Sequence, residues 1–136
     1  MTGQESTKLL VAVALAVVGI ILLVYTAWAR RGGSATARAW MGTSFGSRPV
    51  DERMTVLGAP ALGVMSLCLS ASLLPVVGTY LALLALPLAA VAFVLFFVAQ
   101  MQFIPLPNAI YPRWSRALRA RRRETERAAR ASLRRR

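Results

Sequence analysis

The chain has 136 residues, of which 57% are hydrophobic, yet its formal net charge is +12. Apolar residues make up roughly half of a soluble globular domain, so these values are compatible only if apolar and charged residues occupy separate stretches. With no histidine and one cysteine, the sequence excludes internal disulfides and zinc sites built from these two residue types. The bias of the basic residues to arginine is typical of a bacterial protein from a GC-rich genome.

The first uncharged stretch covers residues 9–29, after a short polar N-terminus of residues 1–8. It is long enough for a helix to cross a hydrocarbon core of about 30 Å. It also exceeds the hydrophobic region of a cleaved signal peptide, which is about 7–15 residues long. The stretch therefore predicts a retained transmembrane helix, followed by a polar linker of residues 30–53.

Two further uncharged stretches, residues 54–74 and 80–103, predict a second and a third transmembrane helix. Proline and glycine between them predict a tight turn at residues 75–79. Asp51 and Glu52 are expected in the first turn of the second helix, where carboxylates complement the positive end of the helix dipole. The fold class is thus an all-α membrane protein with three transmembrane helices.

The last part of the chain, residues 104–136, is strongly basic. Residues 113–136 hold eleven arginines, and alanine and arginine both favour a helix. Counting basic residues on each side of the predicted membrane gives 16 for the linker and tail against 1, Lys8, for the other side. Positively charged loops remain inside, so the N-terminus is expected outside a cell membrane and the basic C-terminal helix in the cytoplasm.

Small residues recur at helical spacing in each predicted span. In lipid, close approach of two backbones through small residues is a main source of helix–helix packing energy. The second and third spans are therefore expected to form an antiparallel hairpin whose small-residue faces meet, with the first span alongside. The predicted packing residues are Ala12, Ala16, Gly19, Ala59, Gly63, Ser66, Ser70, Ala82, Ala85, Ala89 and Ala92.

The predicted spans offer little that catalysis or coupled transport needs. They contain no Asp, Glu, Lys, Arg or His, and such buried groups mark ion pathways and proton relays. Serines such as Ser66 and Ser70 have no histidine in the chain to activate them. Neither an enzyme, a cofactor, a metal nor a small-molecule substrate is expected.

The basic tail is expected to contact the anionic membrane surface, through Arg113, Arg116, Arg119, Arg121, Arg122 and Arg123. A protein partner is a second possibility for this segment, and the chain as a whole is expected to bind a membrane-protein partner or to self-associate. Nucleic acid is the least favoured ligand, because Trp114 is the only aromatic residue of the tail proper and base stacking needs aromatic platforms.

These features favour a structural or accessory subunit that packs beside a larger membrane partner. Two alternatives remain open. The layout of three spans, with the N-terminus outside and a basic C-terminal tail inside, resembles that of some phage holins, which implies a pore-forming oligomer. The tail also suits a tether that holds ribosomes or nucleic acid at the membrane by salt-dependent contacts to phosphate.

Overall fold

The computed structural model describes residues 3–41 and 52–134, and all regular structure within these two ranges is helical. Single 3-10 turns add to the helices at Ala39–Met41 and Asn108–Ile110. Most of the second half of the expected linker, with Asp51, lies outside the described residues. The helices are α1 (Gly3–Arg31), α2 (Ala35–Arg38), α3 (Met54–Ser72), α4 (Gly78–Gln100) and α5 (Arg113–Arg134).

Three of the helices, α1, α3 and α4, are long and apolar enough to cross a membrane. The shortest, α3, has 19 residues, and a rise of 1.5 Å per residue gives it a length of about 28 Å. In the bundle, α3 lies in the centre and packs along α1 on one side and along α4 on the other. The order of the three helices in the bundle is therefore α1, α3, α4.

The contact between α1 and α3 depends on two glycines that face each other. A Cβ atom added to Gly19 would lie 2.9 Å from the carbonyl oxygen of Gly63, and one added to Gly63 would lie 3.1 Å from that of Gly19. Nearer one end of the same contact, the buried Ser70 hydroxyl donates a 2.7 Å hydrogen bond to the carbonyl of Ala12. The two backbones approach this closely because neither glycine carries a side chain.

The contact between α3 and α4 uses a different side of α3. Cys68 is buried against Ala85 and Ala89, with Val64 and Met65 packed around them. The sequence predicted that the small residues of the second span would meet those of the third. In the structure Gly63 instead lies against Gly19 and Leu23 of α1.

Burial differs among the predicted packing residues. The buried members are Ala12, Gly19, Gly63, Ser70, Ala85, Ala89 and Ala92, and the half-buried members are Ala16, Ala59, Ser66 and Ala82. Sequence spacing also missed several buried positions within the spans, among them Thr26, Ala29 and Ala99. These three lie towards the C-terminal ends of α1 and α4, where the chain outside the apolar stretches packs against the bundle.

The first turn of α3, Met54–Gly58, is π-helical. Pro60 follows it, and a proline has no N–H to donate to the carbonyl four residues earlier, which its ring also crowds. That carbonyl belongs to the fully buried Val56, and it accepts a 2.9 Å hydrogen bond from Nη2 of Arg30. Arg30 therefore replaces the donor that Pro60 lacks and ties the end of α1 to the start of α3.

The connection between α3 and α4 is as short as the sequence predicted, although its bounds shift by two residues. The turn occupies residues 73–77, and α4 begins at Gly78, whose N–H donates to the carbonyl of Leu74 at 2.9 Å. Val76 has a left-handed backbone conformation in this turn, with φ of 70°. A β-branched residue is unfavourable there, and Val76 is 94% exposed, so solvent or lipid surrounds its side chain.

Candidate functional site

The candidate site lies at one end of the bundle, where α1 and α4 end and α3 begins. This end is called the basic end of the bundle. After α4 the chain runs through three prolines, Pro105, Pro107 and Pro112, which disfavour a continued helix. This segment turns back over the bundle, and Leu106 and Tyr111 are buried against Val56. The turn places the first half of α5 across the basic end.

Two tryptophans lie against the C-terminal end of α1, Trp114 from α5 and Trp40 from the 3-10 turn at Ala39–Met41. The indole N–H of Trp114 donates to the carbonyl of Arg30 at 2.9 Å, and that of Trp40 donates to the carbonyl of Ala29 at 3.3 Å. The last carbonyls of a helix have no partner within the helix, so the indoles satisfy groups that α1 leaves unpaired. The two rings also meet edge to face, with centroids 5.5 Å apart.

Gly32 permits this arrangement, and it supports a direct prediction. Its φ is +59°, and an added Cβ would lie 2.5 Å from Nε1 of Trp114. Replacing it with alanine should lower the free energy of unfolding by about 2 kcal/mol, since the left-handed backbone alone costs about 1–2 kcal/mol and the indole must also move. Trypsin should then cleave the first half of α5 faster. Gly33→Ala is the matched control, because an added Cβ there meets nothing within 4 Å, and equal effects of the two variants would contradict the assignment.

Two buried charged residues at the start of α3 connect it to the rest of the site. The guanidinium of Arg53 donates through Nη1 to the carbonyl of Met101 and through Nη2 to that of Ile104. Glu52 forms an ion pair with Arg122. The sequence predicted a helix-dipole role for Glu52 and no role for Arg53. Together they bind the segment after α4 and the middle of α5.

The six tail arginines that were expected to contact lipid divide into two groups. Arg113 and Arg121 are exposed. The others have acceptors within the chain: the carbonyls of Tyr111 and Ala109 for Arg116, the carbonyl of Met41 and the carboxylate of Glu52 for Arg122, and Asn108 for Arg119 and Arg123. Contact of these arginines with an anionic surface stays a prediction. The contacts within the chain show that α5 is docked on the bundle from Trp114 to Arg123.

Tyr111 lies at the centre of this docked region. Burial raises the pKa of its phenol, and this outweighs the opposing effect of the Arg119 guanidinium. The same guanidinium lies over the ring, with its central carbon 3.5 Å from the ring centroid, within the range of a cation–π contact. Tyr111 is therefore a neutral phenol at physiological pH and also a platform for an arginine.

Comparison with known proteins gives no match: no family model, no curated protein and no solved structure matches the chain. Within residues 3–41 and 52–134, no group of three or more Cys, Asp or Glu side chains is placed to hold a metal ion. What the described residues do provide is an arginine-rich helix fixed at one end of an apolar three-helix bundle. A functional proposal has to start from that arrangement.

Proposed function

We propose that this protein is a small multi-pass membrane protein that serves as a structural or accessory subunit beside a larger membrane partner. The observation that carries the proposal is the large apolar surface of the two outer helices. Only 17% of the most apolar window of α1 and 11% of that of α4 are buried within the chain. The exposed side chains include Leu10, Ile21, Val24, Leu83, Leu84 and Val94, which need lipid or another protein to cover them.

The charge distribution supports an orientation for this subunit. The arginines among the described residues all lie at the basic end of the bundle or in the tail, whereas Lys8 is the one described basic residue at the opposite end. By the positive-inside rule the basic end faces the cytoplasm and the N-terminus lies outside. The docked helix α5 then forms a fixed basic surface at the cytoplasmic face of the membrane, next to any partner that covers α1 or α4.

The polar groups of the bundle support a packing role over a catalytic one. Ser70 and Thr26 direct their hydroxyls to backbone carbonyls, of Ala12 and Leu22 respectively. Arg53 and Arg122 are likewise bound to acceptors of the chain. Groups bound to the backbone in this way stabilise an architecture, so we propose no enzymatic activity for the chain.

The test is to express the chain in its native host with an affinity tag after Arg136. Protease added to intact spheroplasts should leave the tag in place, because the C-terminus is inside. Extraction in a mild detergent should then recover a larger membrane subunit in fixed stoichiometry with the chain. A homo-oligomer alone, together with leakage of the membrane on overexpression, would contradict the accessory role and favour a pore. Loss of the tag to external protease would overturn the orientation.

A further inference from the structure

A small polar pocket of about 180 Å³ lies at the basic end of the bundle, immediately after the end of α4. The start of α3, the segment after α4 and the docked part of α5 all contribute to its wall. Its charged and aromatic lining consists of Glu52, Arg53, Tyr111, Arg119 and Arg123. Three parts of the chain that are far apart in sequence thus place their polar side chains around one cavity.

The positive charges around this pocket exceed the negative ones. Arg119 and Arg123 both donate to Oδ1 of Asn108, at 3.2 Å and 3.5 Å. This neutral oxygen brings two like charges together without compensating either. Among the described lining residues Glu52 is the one carboxylate, and it is already paired with Arg122. An anion in the pocket would relieve the repulsion between the two guanidinium groups.

The chemistry of the lining selects among anions. Arginine presents a planar set of donors that matches the oxygens of a phosphate group. Tyr111 contributes a phenol that stays protonated, since burial raises its pKa, and a protonated phenol is a hydrogen-bond donor. Arg53 is held in place by two backbone carbonyls, which fixes its charge in the wall. Bidentate arginine donors, a phenol and a fixed positive charge together suit a phosphate oxyanion.

We propose that this pocket binds a phosphate group, either that of an anionic phospholipid headgroup or free phosphate. The lipid source rests on the proposed membrane placement, because the pocket directly follows the last residue of α4, Gln100, where headgroups then lie. With a lipid as the ligand, the protein binds one headgroup at this defined site. A diffuse basic surface would bind in proportion to its total charge.

The experiment uses the purified full chain in detergent. It is incubated with phosphatidylglycerol or with phosphatidylcholine, and native mass spectrometry counts the lipids that each chain retains. We expect one retained phosphatidylglycerol and no retained phosphatidylcholine, whose headgroup carries its own positive charge. The double variant Arg119→Gln/Arg123→Gln should retain phosphatidylglycerol at least tenfold less, because it removes two charged donors and a tenfold change corresponds to only about 1.4 kcal/mol. Inorganic phosphate, titrated into the lipid-free chain, probes the second source.

The matched control is Arg127→Gln/Arg130→Gln, which removes the same charge from exposed positions of the same helix. It should change lipid retention less than twofold. Retention of lipid alone assigns the pocket to a headgroup, and binding of inorganic phosphate alone assigns it to free phosphate. Equal losses in the two double variants, or no binding of either probe, would overturn the proposal.

The single variant Arg123→Gln is the control for loss of folding. Arg123 is exposed and its bond to Asn108 is long, so this variant should keep the wild-type thermal unfolding profile while retaining severalfold less lipid. Unchanged retention in this folded variant would also count against the pocket. The accessory role is judged by the co-purification of a larger subunit, and that readout does not depend on lipid retention, so the two proposals can fail separately.

Discussion

Replacing Gly19 with leucine is expected to force α1 away from α3 and to lower the free energy of unfolding by about 3 kcal/mol, the upper part of the usual range for overpacking a tight contact. Even a single Cβ at this position would lie 2.8 Å from Cγ of Leu67 and 2.9 Å from the carbonyl oxygen of Gly63. The neighbouring backbone cannot move aside without separating the helices. Unfolding in mixed detergent and SDS, followed by circular dichroism, measures the change.

The matched control for this prediction is Val18→Leu, one residue away on the same helix. Val18 is 48% exposed, so the added methylene extends into the surroundings and should change stability by less than about 0.5 kcal/mol, as is usual for surface substitutions. Gly63→Leu should resemble Gly19→Leu, because the two glycines face each other. Equal stability of the Gly19 and Val18 variants would show that α1 and α3 do not pack closely at this point.

The second large effect is expected for Arg53→Met, which keeps an unbranched side chain but removes every donor. Arg53 is 6% exposed, and its loss leaves the carbonyls of Met101 and Ile104 without their partner. Hydrogen bonds from a charged donor contribute roughly 1.5–3 kcal/mol each, so we expect a loss of about 3 kcal/mol. Hydrogen exchange should quicken in the segment between α4 and α5, while α1 retains its protection.

Arg121→Met provides the comparison, since it makes the same chemical change at an exposed position of α5. It should leave both stability and hydrogen exchange close to those of the original chain. If Arg53→Met also behaves in this way, Arg53 does not hold the segment after α4. The docking of α5 would then depend mainly on Trp114 and on the pair formed by Glu52 and Arg122.

The sequence predicted the helices well because each signal was local. Uncharged stretches ended by charge or proline place α3 and α4 to within three residues at each end, whereas α1 begins at Gly3, six residues before its uncharged stretch. An arginine- and alanine-rich composition predicts α5. Proline and glycine also predicted the short turn before α4. Each of these signals acts through composition over a few turns of helix, which a single sequence displays directly.

The docking of α5 was not predictable in the same way. The ion pair between Glu52 and Arg122 joins residues 70 positions apart, and no pattern in one sequence relates them. All sixteen arginines contribute to the charge count from which the orientation was predicted. This count does not distinguish an arginine that binds a backbone carbonyl from one that faces lipid. Only the clustering of three prolines between Pro105 and Pro112 indicated that the chain turns sharply there.

The sequence pattern also did not predict which side of α3 packs against α1 and which packs against α4. Small residues such as Gly63 predict that a helix can approach closely, but they do not identify the helix that does so. The bond from Arg30 to Val56 could have been anticipated in part. Pro60 signals a carbonyl without a donor four residues earlier, and the arginine that supplies the donor ends the adjacent apolar stretch.

The hydrogen bonds from Arg30 to Val56 and from Ser70 to Ala12 have a mechanical consequence. They lie at opposite ends of the contact between α1 and α3, and along α1 their anchor residues are 18 positions apart, or about 27 Å at 1.5 Å per residue. Sliding α1 along α3 by one turn would break both at once. Piston-like motion of this pair of helices is therefore resisted at both ends of their contact.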